Sequence, residues 1–397
     1  MRVTNSMLVS TLMRNLNNNF RKVDSLQNMM ASGRKFGHIS DDPIALIYSQ
    51  TARNKLARLS HYQTTVGTAQ KWLTQAETGI MELQRTVADA YVSLIDAATN
   101  VKTDSDRQNL AKVIAQYRDH FVDTLNTAFG DKFVFGGYNT PGEPANLSYL
   151  SDRSLKPFTV ENDKLFFNGY DLSVYDGIPA ELLNVNLKGL SPADALAALD
   201  NVAATITIPG TDPPDLYADL TAVLADINSG RDPADEIDAD AIIMLHRLKD
   251  DVLTFDVGPG ISMPVTINGI DLIMFTTMEN GVPVSRNAYT LIDELYKAVI
   301  EEDCDIEGLS NMIKELQDAQ NHILTKTAEI GGRTRRLELL EARYEQDYLN
   351  YEQMKSDAED ADMAEVIMKL RMAEAVMQAS MSAGARIIQP SLMDFLR

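Results

Sequence analysis

The sequence predicts a mainly α-helical protein with a β-rich insertion. We expect an elongated helical rod built from the N- and C-terminal segments, with an outboard α+β domain in the middle of the chain. Three observations support this prediction: the two ends carry opposite charge, one long segment repeats apolar residues every seventh position, and residues 141–285 hold most of the prolines. Helical patterns on both sides of such a stretch favour a pairing of the chain ends, with the middle projecting outward.

The charge of the two ends differs in sign. Residues 1–36 contain six Lys and Arg residues against one acid, a balance of +5, whereas residues 338–365 contain ten acids against two bases, a balance of −8. Both segments also repeat apolar residues at helical spacing. Because opposite charges and matching apolar stripes favour packing, we expect the start of the chain to form an ion-paired seam with its end.

Local signals place the first two helices. Apolar residues recur every three or four positions over residues 5–32, which predicts an amphipathic helix, and Gly33 suits its C-terminal end. Asp42 before Pro43 is typical of a second helix start, since a short polar side chain accepts from free backbone N–H groups and proline tolerates the first turn.

The clearest pattern of the chain follows in that second helix. Its apolar residues recur every seven positions, with smaller or apolar residues three places after six of them. One unbroken helix of roughly 60 to 75 Å is expected from this repeat. The predicted heptad seam of the rod domain comprises Leu59, Val66, Leu73, Ile80, Val87, Leu94 and Val101.

Residues 141–285 show a different sequence pattern, with turn signals and short helices. Asn168-Gly169 and Asn268-Gly269 each lie between apolar runs and predict hairpin turns. Ser191-Pro192 and Asp232-Pro233 each predict a helix start. Helical spacing returns after residue 286, where the Gly331-Gly332 pair is expected to bend or break a long helix.

These patterns predict three parts. Residues 1–40 and 360–397 are terminal assembly helices, residues 41–140 and 286–359 form a helical rod domain, and residues 141–285 form a β-rich variable outer domain. The terminal stripes have too few partners within one chain, so we expect copies of the chain to cover them by coupled folding on assembly. The predicted subunit interface comprises Leu12, Leu16, Phe20, Val23, Val366, Leu370, Met377, Met381, Leu392 and Phe395.

Composition argues against several functions. A formal charge of −21 disfavours nucleic acid and anionic membranes, and no stretch is apolar enough to span a bilayer. The single cysteine, Cys304, excludes a disulfide within the chain, and the five histidines lack metal-ligand spacing. We therefore expect no enzymatic activity, no cofactor and no metal, and the N-terminus lacks the pattern of a cleavable secretory signal.

Specific strings indicate a family. They are MRVTNSM at the start, SDDPIAL at residues 40–46, FVFGGYNT at 133–140, EIGGRTRRLELLEARYE at 329–345, SDAEDADMAEVI at 356–367, and MQASMSAGARIIQPSLMDFL near the end. The order of these strings and their amino acids resemble the flagellin superfamily, most closely its hook-filament junction members. The resemblance covers residues 1–140 and 286–397.

The resemblance implies a structural adapter between the flagellar hook and filament that polymerises through its terminal helices and is needed for motility. Its implied partners are copies of itself, a neighbouring hook-associated protein, flagellin, and an export chaperone at the C-terminal region. It also implies an extracellular location in the bacterial flagellum, reached by the flagellar type III pathway. A filament subunit (flagellin) or a flagellin-like surface adhesin remain the alternatives.

Overall fold

The computed structural model divides the chain into two compact units. The terminal unit comprises residues 1–63 and 341–397, and the central unit comprises residues 64–340. The three-part division predicted from the sequence stays a prediction. The structure describes residues 5–37, 41–98, 104–130, 132–137, 156–208, 215–229, 231, 236–250, 252–279, 281–300 and 306–388.

Long helices dominate both ends of the chain. They are α1 (Asn5–Ser32), α2 (Pro43–Ala98), α3 (Asp104–Leu125), α9 (Ala288–Ile300), α10 (Ile306–Glu359) and α11 (Met363–Ile388). In the terminal unit α1 packs against α11, and in the central unit α3 packs against α9. Gly33, in the left-handed conformation, ends α1 as predicted, and its N–H donates to Met29 O at 2.9 Å.

The middle of the chain contains short helices and antiparallel strands. Its helices are α4 (Ala180–Leu183), α5 (Pro192–Ala203), α6 (Leu220–Asn228), α7 (Ala239–Lys249) and α8 (Gly269–Ile273). The strands are β1 (Ala128–Phe129), β2 (Lys132–Phe133), β3 (Phe158–Glu161), β4 (Lys164–Phe167), β5 (Tyr170–Asp171), β6 (Thr254–Gly258), β7 (Ile261–Pro264), β8 (Met274–Glu279) and β9 (Val282–Asn287). They form the hairpins β1-β2, β6-β7 and β8-β9 and the three-stranded sheet β3-β4-β5. The predicted fold class, mainly α with a β-rich insertion, is confirmed.

Most local predictions in this region are confirmed. Asn168 and Gly169 both adopt positive φ and join β4 to β5, as a two-residue hairpin loop requires. Ser191 caps α5 by accepting from the backbone N–H of Asp194 at 3.3 Å. Asp232-Pro233 lies outside the described residues, and the N-cap of α7 is Asp238.

Two predictions about glycine pairs and turns differ from the structure. Asn268-Gly269 is not a hairpin turn, because the Asn268 side chain accepts from Ile270 N at 3.0 Å and caps α8. Asparagine suits caps as well as turns, so the dipeptide alone does not distinguish them. The Gly331-Gly332 pair does not break its helix, since α10 continues through it. The buried Ile330 and Leu337 nearby provide packing that outweighs the weak helix propensity of glycine.

The FVFGG segment connects the long helix α2 with the middle of the chain. The ring of Phe135 is fully buried and packs against Gly79 of α2. The Phe135 carbonyl accepts from Gly269 N at 3.0 Å, at the first residue of α8. Both glycines leave room for an aromatic ring, because a Cβ atom at either position would overlap Phe135 or Phe158. This segment therefore sets how the insertion meets the helices of the central unit.

Substituting alanine for Gly79 is expected to destabilise the central unit by about 1 to 2 kcal/mol, despite the better helix propensity of alanine. A Cβ atom there would stand 2.9 Å from Phe135 Cε2 in a closed core. Gly67 is the matched control on the same helix, since a Cβ atom there would meet nothing within 4 Å. Gly67→Ala should stabilise by about 0.5 to 1 kcal/mol. Urea denaturation measures both, and equal stabilisation by the two changes would contradict the packing at Gly79.

Candidate assembly surface

The terminal helices pair within the chain as the sequence predicts. α1 and α11 run antiparallel, with the Asn19 amide donating to Ser380 Oγ at 3.1 Å. Gly384 permits the closest approach, since a Cβ atom there would stand 3.0 Å from Leu12 Cδ2. The start of the chain thus packs against its end, as the apolar stripes indicate.

In the described part of the chain, fewer ion pairs join its two ends than the sequence predicts. The acidic segment lies mainly in α10, whereas the partner of α1 is α11. Among the described bases of residues 1–36, Arg34 forms an ion pair with this acidic segment, and its Nε lies 3.9 Å from Glu359 Oε2. Among the described residues, the expected ion pairing between the two ends is therefore limited to Arg34, just after α1, and apolar packing holds most of the helix pair together.

The predicted interface residues that the structure describes fall into three groups. Val23, Val366 and Leu370 are buried between helices of their own chain, and Leu370 is only 6 % exposed. Leu12, Leu16 and Met377 are partly covered. Phe20 and Met381 are exposed and available to another molecule. Leu392 and Phe395 lie outside the described residues.

The predicted seam residues lie on one face of α2. Leu59, Val66, Leu73, Ile80, Val87 and Leu94 are all buried. Val101 lies outside the described residues. The helix is continuous over Pro43–Ala98, in agreement with the seven-residue repeat. A role for these residues as a coiled-coil seam stays a proposal.

A buried carboxylate holds the end of α10 to the start of α2 and the end of α1. We call it, with its partners, the Glu359 cluster: Glu359, Arg53, Ser49 and Arg34. Arg53 binds both carboxylate oxygens, with Nε to Oε1 at 2.5 Å and Nη2 to Oε2 at 2.6 Å. Ser49 donates to Oε1, and Arg34 lies 3.9 Å away. The Glu359 side chain is only 4 % exposed, so these partners replace its hydration.

Backbone contacts reinforce the Glu359 cluster. Lys35 N donates to Glu359 O at 2.7 Å, and Ala361 N donates to Gly33 O at 2.9 Å. The hydrogen bonds from Arg53 are the largest cause lowering the pKa of Glu359, to about 2, and the hydrogen bond from Ser49 and the charges of Arg53 and Arg34 act in the same direction. The carboxylate thus stays ionised, and the joint between α10 and α11 is fixed to the end of α1.

The α1-α11 pair leaves many large apolar side chains exposed. Met372 is 64 % exposed, and nine other large apolar side chains of the pair are 39 % to 60 % exposed. The remaining members of this exposed set are Met7, Met13, Phe20, Met30, Met363, Ile367, Met368, Val376 and Met381. So many exposed apolar side chains on two neighbouring helices favour an interaction with another molecule.

A groove follows part of this surface. It has a volume of about 430 Å³ and lies between α1 and α11. The apolar side chains of Leu26, Met372, Ala373 and Val376 line it, together with Asn19, Lys22, Ser25 and Lys369. We call it the terminal groove. Two lysines at an apolar groove favour an occupant that is apolar and carries negative charge.

A second apolar patch lies at the first turns of α2. Ile44, Ile47 and Tyr48 are 68 %, 65 % and 59 % exposed, although all three are large. Their spacing of three and four residues places them on one face of the helix. We call them the α2 triad. Sequence reasoning misses this patch, because the SDDPIAL string indicates a helix cap and a family resemblance but says nothing about exposure.

A partly buried histidine shows how the described part of the chain holds an ionisable group, and the same residues contain neither a metal-binding cluster nor a membrane-spanning helix. His322 donates from Nε2 to Asp271 O at 2.8 Å, and burial lowers its pKa. Within the described ranges, no three His, Cys, Asp or Glu side chains converge in a way that would hold a metal ion. None of the described helices combines the length and hydropathy needed to cross a membrane.

Several known flagellar proteins are similar to this chain. Residues 3–140 match the family model of the bacterial flagellin N-terminal helical region. Flagellar hook-associated protein 3 of Escherichia coli strain K12 is 23 % identical over 217 residues, which cover 53 % of this chain and 68 % of that protein. The protein of the same name from Salmonella typhimurium strain LT2 is 24 % identical over 145 residues, covering 36 % and 46 % respectively.

A solved structure shares the fold. A protein of Vibrio parahaemolyticus, assigned as a flagellar hook-associated protein, superposes with a TM-score of 0.52 at 14 % identity, covering 81 % of this chain and 100 % of that chain. The resemblance predicted from the sequence strings is therefore confirmed: residues 3–140 match the bacterial flagellin N-terminal helical region, and the chain is similar to flagellar hook-associated protein 3 of two bacteria.

Proposed function

We propose that this protein is a structural adapter subunit at the junction between the flagellar hook and filament, and that it polymerises through its terminal helices. The observation that carries the proposal is the exposed apolar surface of the α1-α11 pair, in a chain similar to flagellar hook-associated protein 3. A protein that acts alone in water has little use for so many exposed methionines on two adjacent helices.

The composition of the helix pair also favours assembly. α1 and α11 together carry six bases against three acids, a balance of +3, in a chain of formal charge −21. The pair can therefore approach the acidic remainder of another copy without net repulsion. Repeated contacts between copies must join two different surfaces, because only a head-to-tail interface generates a ring or a tube.

The adapter acts by binding, not by catalysis. Several of its ionisable groups form ion pairs within the chain: Arg53 pairs with Glu359, Arg118 with Asp293, and Arg286 with Glu294 and Glu315. Other proposed partners are a neighbouring hook-associated protein, flagellin, and an export chaperone that holds the C-terminal region. The proposed location is the bacterial flagellum outside the cell, after export by the flagellar type III pathway.

Flagellin is the second candidate. The family model that matches residues 3–140 describes the N-terminal helical region of flagellins, which form the filament itself. The two curated relatives favour the junction protein, since both are named flagellar hook-associated protein 3. The two functions differ in what their loss does to the cell.

Deletion of the gene tests the proposal in the source bacterium. Cells without the protein should still build hooks but lack filaments, and flagellin monomers should accumulate in the culture medium. A wild-type copy should restore motility, whereas a Met13→Asp/Phe20→Asp double variant should not, because both side chains are exposed on α1. Val92→Asp, at an exposed position of α2 in the central unit, is the control and should restore motility. Normal filaments in the deletion strain would contradict the adapter function.

A further inference from the structure

Two exposed surfaces of the terminal unit are complementary in character. The terminal groove is apolar along Leu26, Met372 and Val376 and carries Lys22 and Lys369. The α2 triad is apolar and follows directly on Asp41 and Asp42, both exposed in the described structure. Each surface therefore offers what the other lacks: one has a groove and positive charge, the other has projecting apolar side chains and negative charge.

A second molecule can reach both surfaces. Along α1 the lining of the groove runs from Asn19 to Leu26, and Leu26 lies about seven residues, or roughly 10 Å, before Gly33. The α2 triad lies beyond Gly33, at the start of the next helix. Both remain open in the single chain, because Ile44, Ile47 and Met372 are each more than half exposed.

We propose that the α2 triad of one copy binds in the terminal groove of the next copy. Ile44, Ile47 and Tyr48 fill the apolar groove, and Asp41 and Asp42 lie near Lys22 and Lys369. Lys369 keeps its ion pair with Glu365 of its own helix, at 2.8 Å, and Lys22 supplies the main attraction. The inference rests on the proposed assembly function and specifies which surfaces make the head-to-tail contact.

The physical properties of the groove suit this occupant. Met372 is flexible and polarisable, so it can adjust to branched and aromatic side chains alike. Tyrosine is enriched in protein interfaces, because its ring buries apolar area while its hydroxyl can still reach water or a polar partner. Since the two surfaces differ, two copies joined in this way still have one free triad at one end and one free groove at the other, so further copies can add.

Two single variants of the full-length chain test the inference. Ile47→Asp removes the triad and leaves the groove, whereas Met372→Asp removes the groove and leaves the triad. Each variant alone should associate at least about tenfold more weakly than wild type in sedimentation velocity, because a carboxylate would be buried in the contact. Circular dichroism should show unchanged helix content for both, since both positions are exposed in the chain.

A mixture of the two variants is the decisive sample. It still contains one intact triad, on the Met372→Asp chain, and one intact groove, on the Ile47→Asp chain. The mixture should form a 1:1 heterodimer and stop there, with an affinity close to that of the wild-type contact. Val92→Asp serves as the control and should assemble like wild type, since Val92 belongs to neither surface.

The outcomes separate the inference from the function. Assembly of each variant like wild type would overturn the inference and leave the adapter function standing. If Met372→Asp lost assembly while Ile47→Asp assembled like wild type, another segment would occupy the groove, which also overturns the inference. A wild-type chain that stays monomeric at every concentration would overturn the proposed self-assembly as well. Weaker association as salt rises, reduced in Lys22→Ala, supports the charge pairing.

Discussion

Glutamine in place of Glu359 is expected to destabilise the terminal unit by about 2 to 3 kcal/mol at neutral pH. Removing one partner of a buried ion pair usually costs about 3 to 5 kcal/mol, and the smaller figure follows because the Arg53 side chain is half open to solvent. The glutamine amide also has an NH₂ group where the carboxylate has an acceptor oxygen. This donor would face Arg53 and Ser49, which are donors themselves, so one hydrogen bond cannot form. Exchange of the Lys35 and Ala361 amides should accelerate about 30- to 150-fold, measured by hydrogen exchange.

The pH dependence of this effect has a defined sign. The pKa of Glu359 is lowered to about 2 in the fold, from 4.5 in the unfolded chain. The stability that Glu359 provides is therefore present above about pH 4.5 and is lost as the pH falls toward 2. Glu352→Gln is the matched control on the same helix, because Glu352 forms a surface pair with Lys355 and should contribute below about 0.5 kcal/mol. Equal exchange rates in the two variants would contradict the Glu359 cluster.

The free energy of unfolding of the central unit is expected to depend on pH by about 4 kcal/mol through Asp176. Asparagine in place of Asp176 should abolish this dependence. Asp176 is buried, and its Oδ1 accepts from Asn287 N at 2.5 Å, at the end of β9. Burial is the largest cause raising the pKa of Asp176, to about 7, and Glu294 adds to it. Arg286, Thr290 and the Asn287 N–H act in the opposite direction but do not offset burial.

The sign for Asp176 is the reverse of that for Glu359. Its folded pKa of about 7 lies above the unfolded value of 3.8, so the protonated form is the one that the fold favours. Its stability contribution is complete below about pH 3.8 and is lost as the pH rises to about 7, at up to about 1.4 kcal/mol per pH unit. The amide oxygen of the substituted side chain still accepts from Asn287 N, and the amide needs no proton to be neutral.

Urea denaturation at several pH values measures this difference. Wild type should lose stability relative to Asp176→Asn between about pH 4 and 7, and the variant should be the more stable one at higher pH. Asp123→Asn is the control, because Asp123 is largely exposed and its change should leave the profile of wild type intact. Parallel profiles for wild type and Asp176→Asn would show that Asp176 is ionised in the fold.

Sequence reasoning succeeds where the deciding forces are local. The seven-residue repeat from Leu59 to Leu94 predicts a single helix, and Pro43–Ala98 is one. Ser191 and Gly33 are a cap and a stop because their own backbone geometry decides their roles. The apolar stripe of α1 also indicates its partner, since a long stripe must be covered by another of similar length.

Sequence reasoning fails where partners far apart in the chain decide. Glu359 lies in an acidic run that is typical of a solvated face, and only the fold brings Arg53 and Ser49 to it. Leu370 has the same stripe signal as an interface residue, yet it is already covered within its own chain. Periodicity shows that a side chain needs a cover but does not tell whether the cover is the same chain or another.

The position of the protein on isolated flagella tests the central proposal most directly. Antibodies against the full-length chain, detected by gold labelling in the electron microscope, should mark one narrow band where the curved hook meets the filament. Label along the whole filament would instead identify a filament subunit, and label on the cell surface would identify an adhesin. Either of those two patterns would contradict the adapter function.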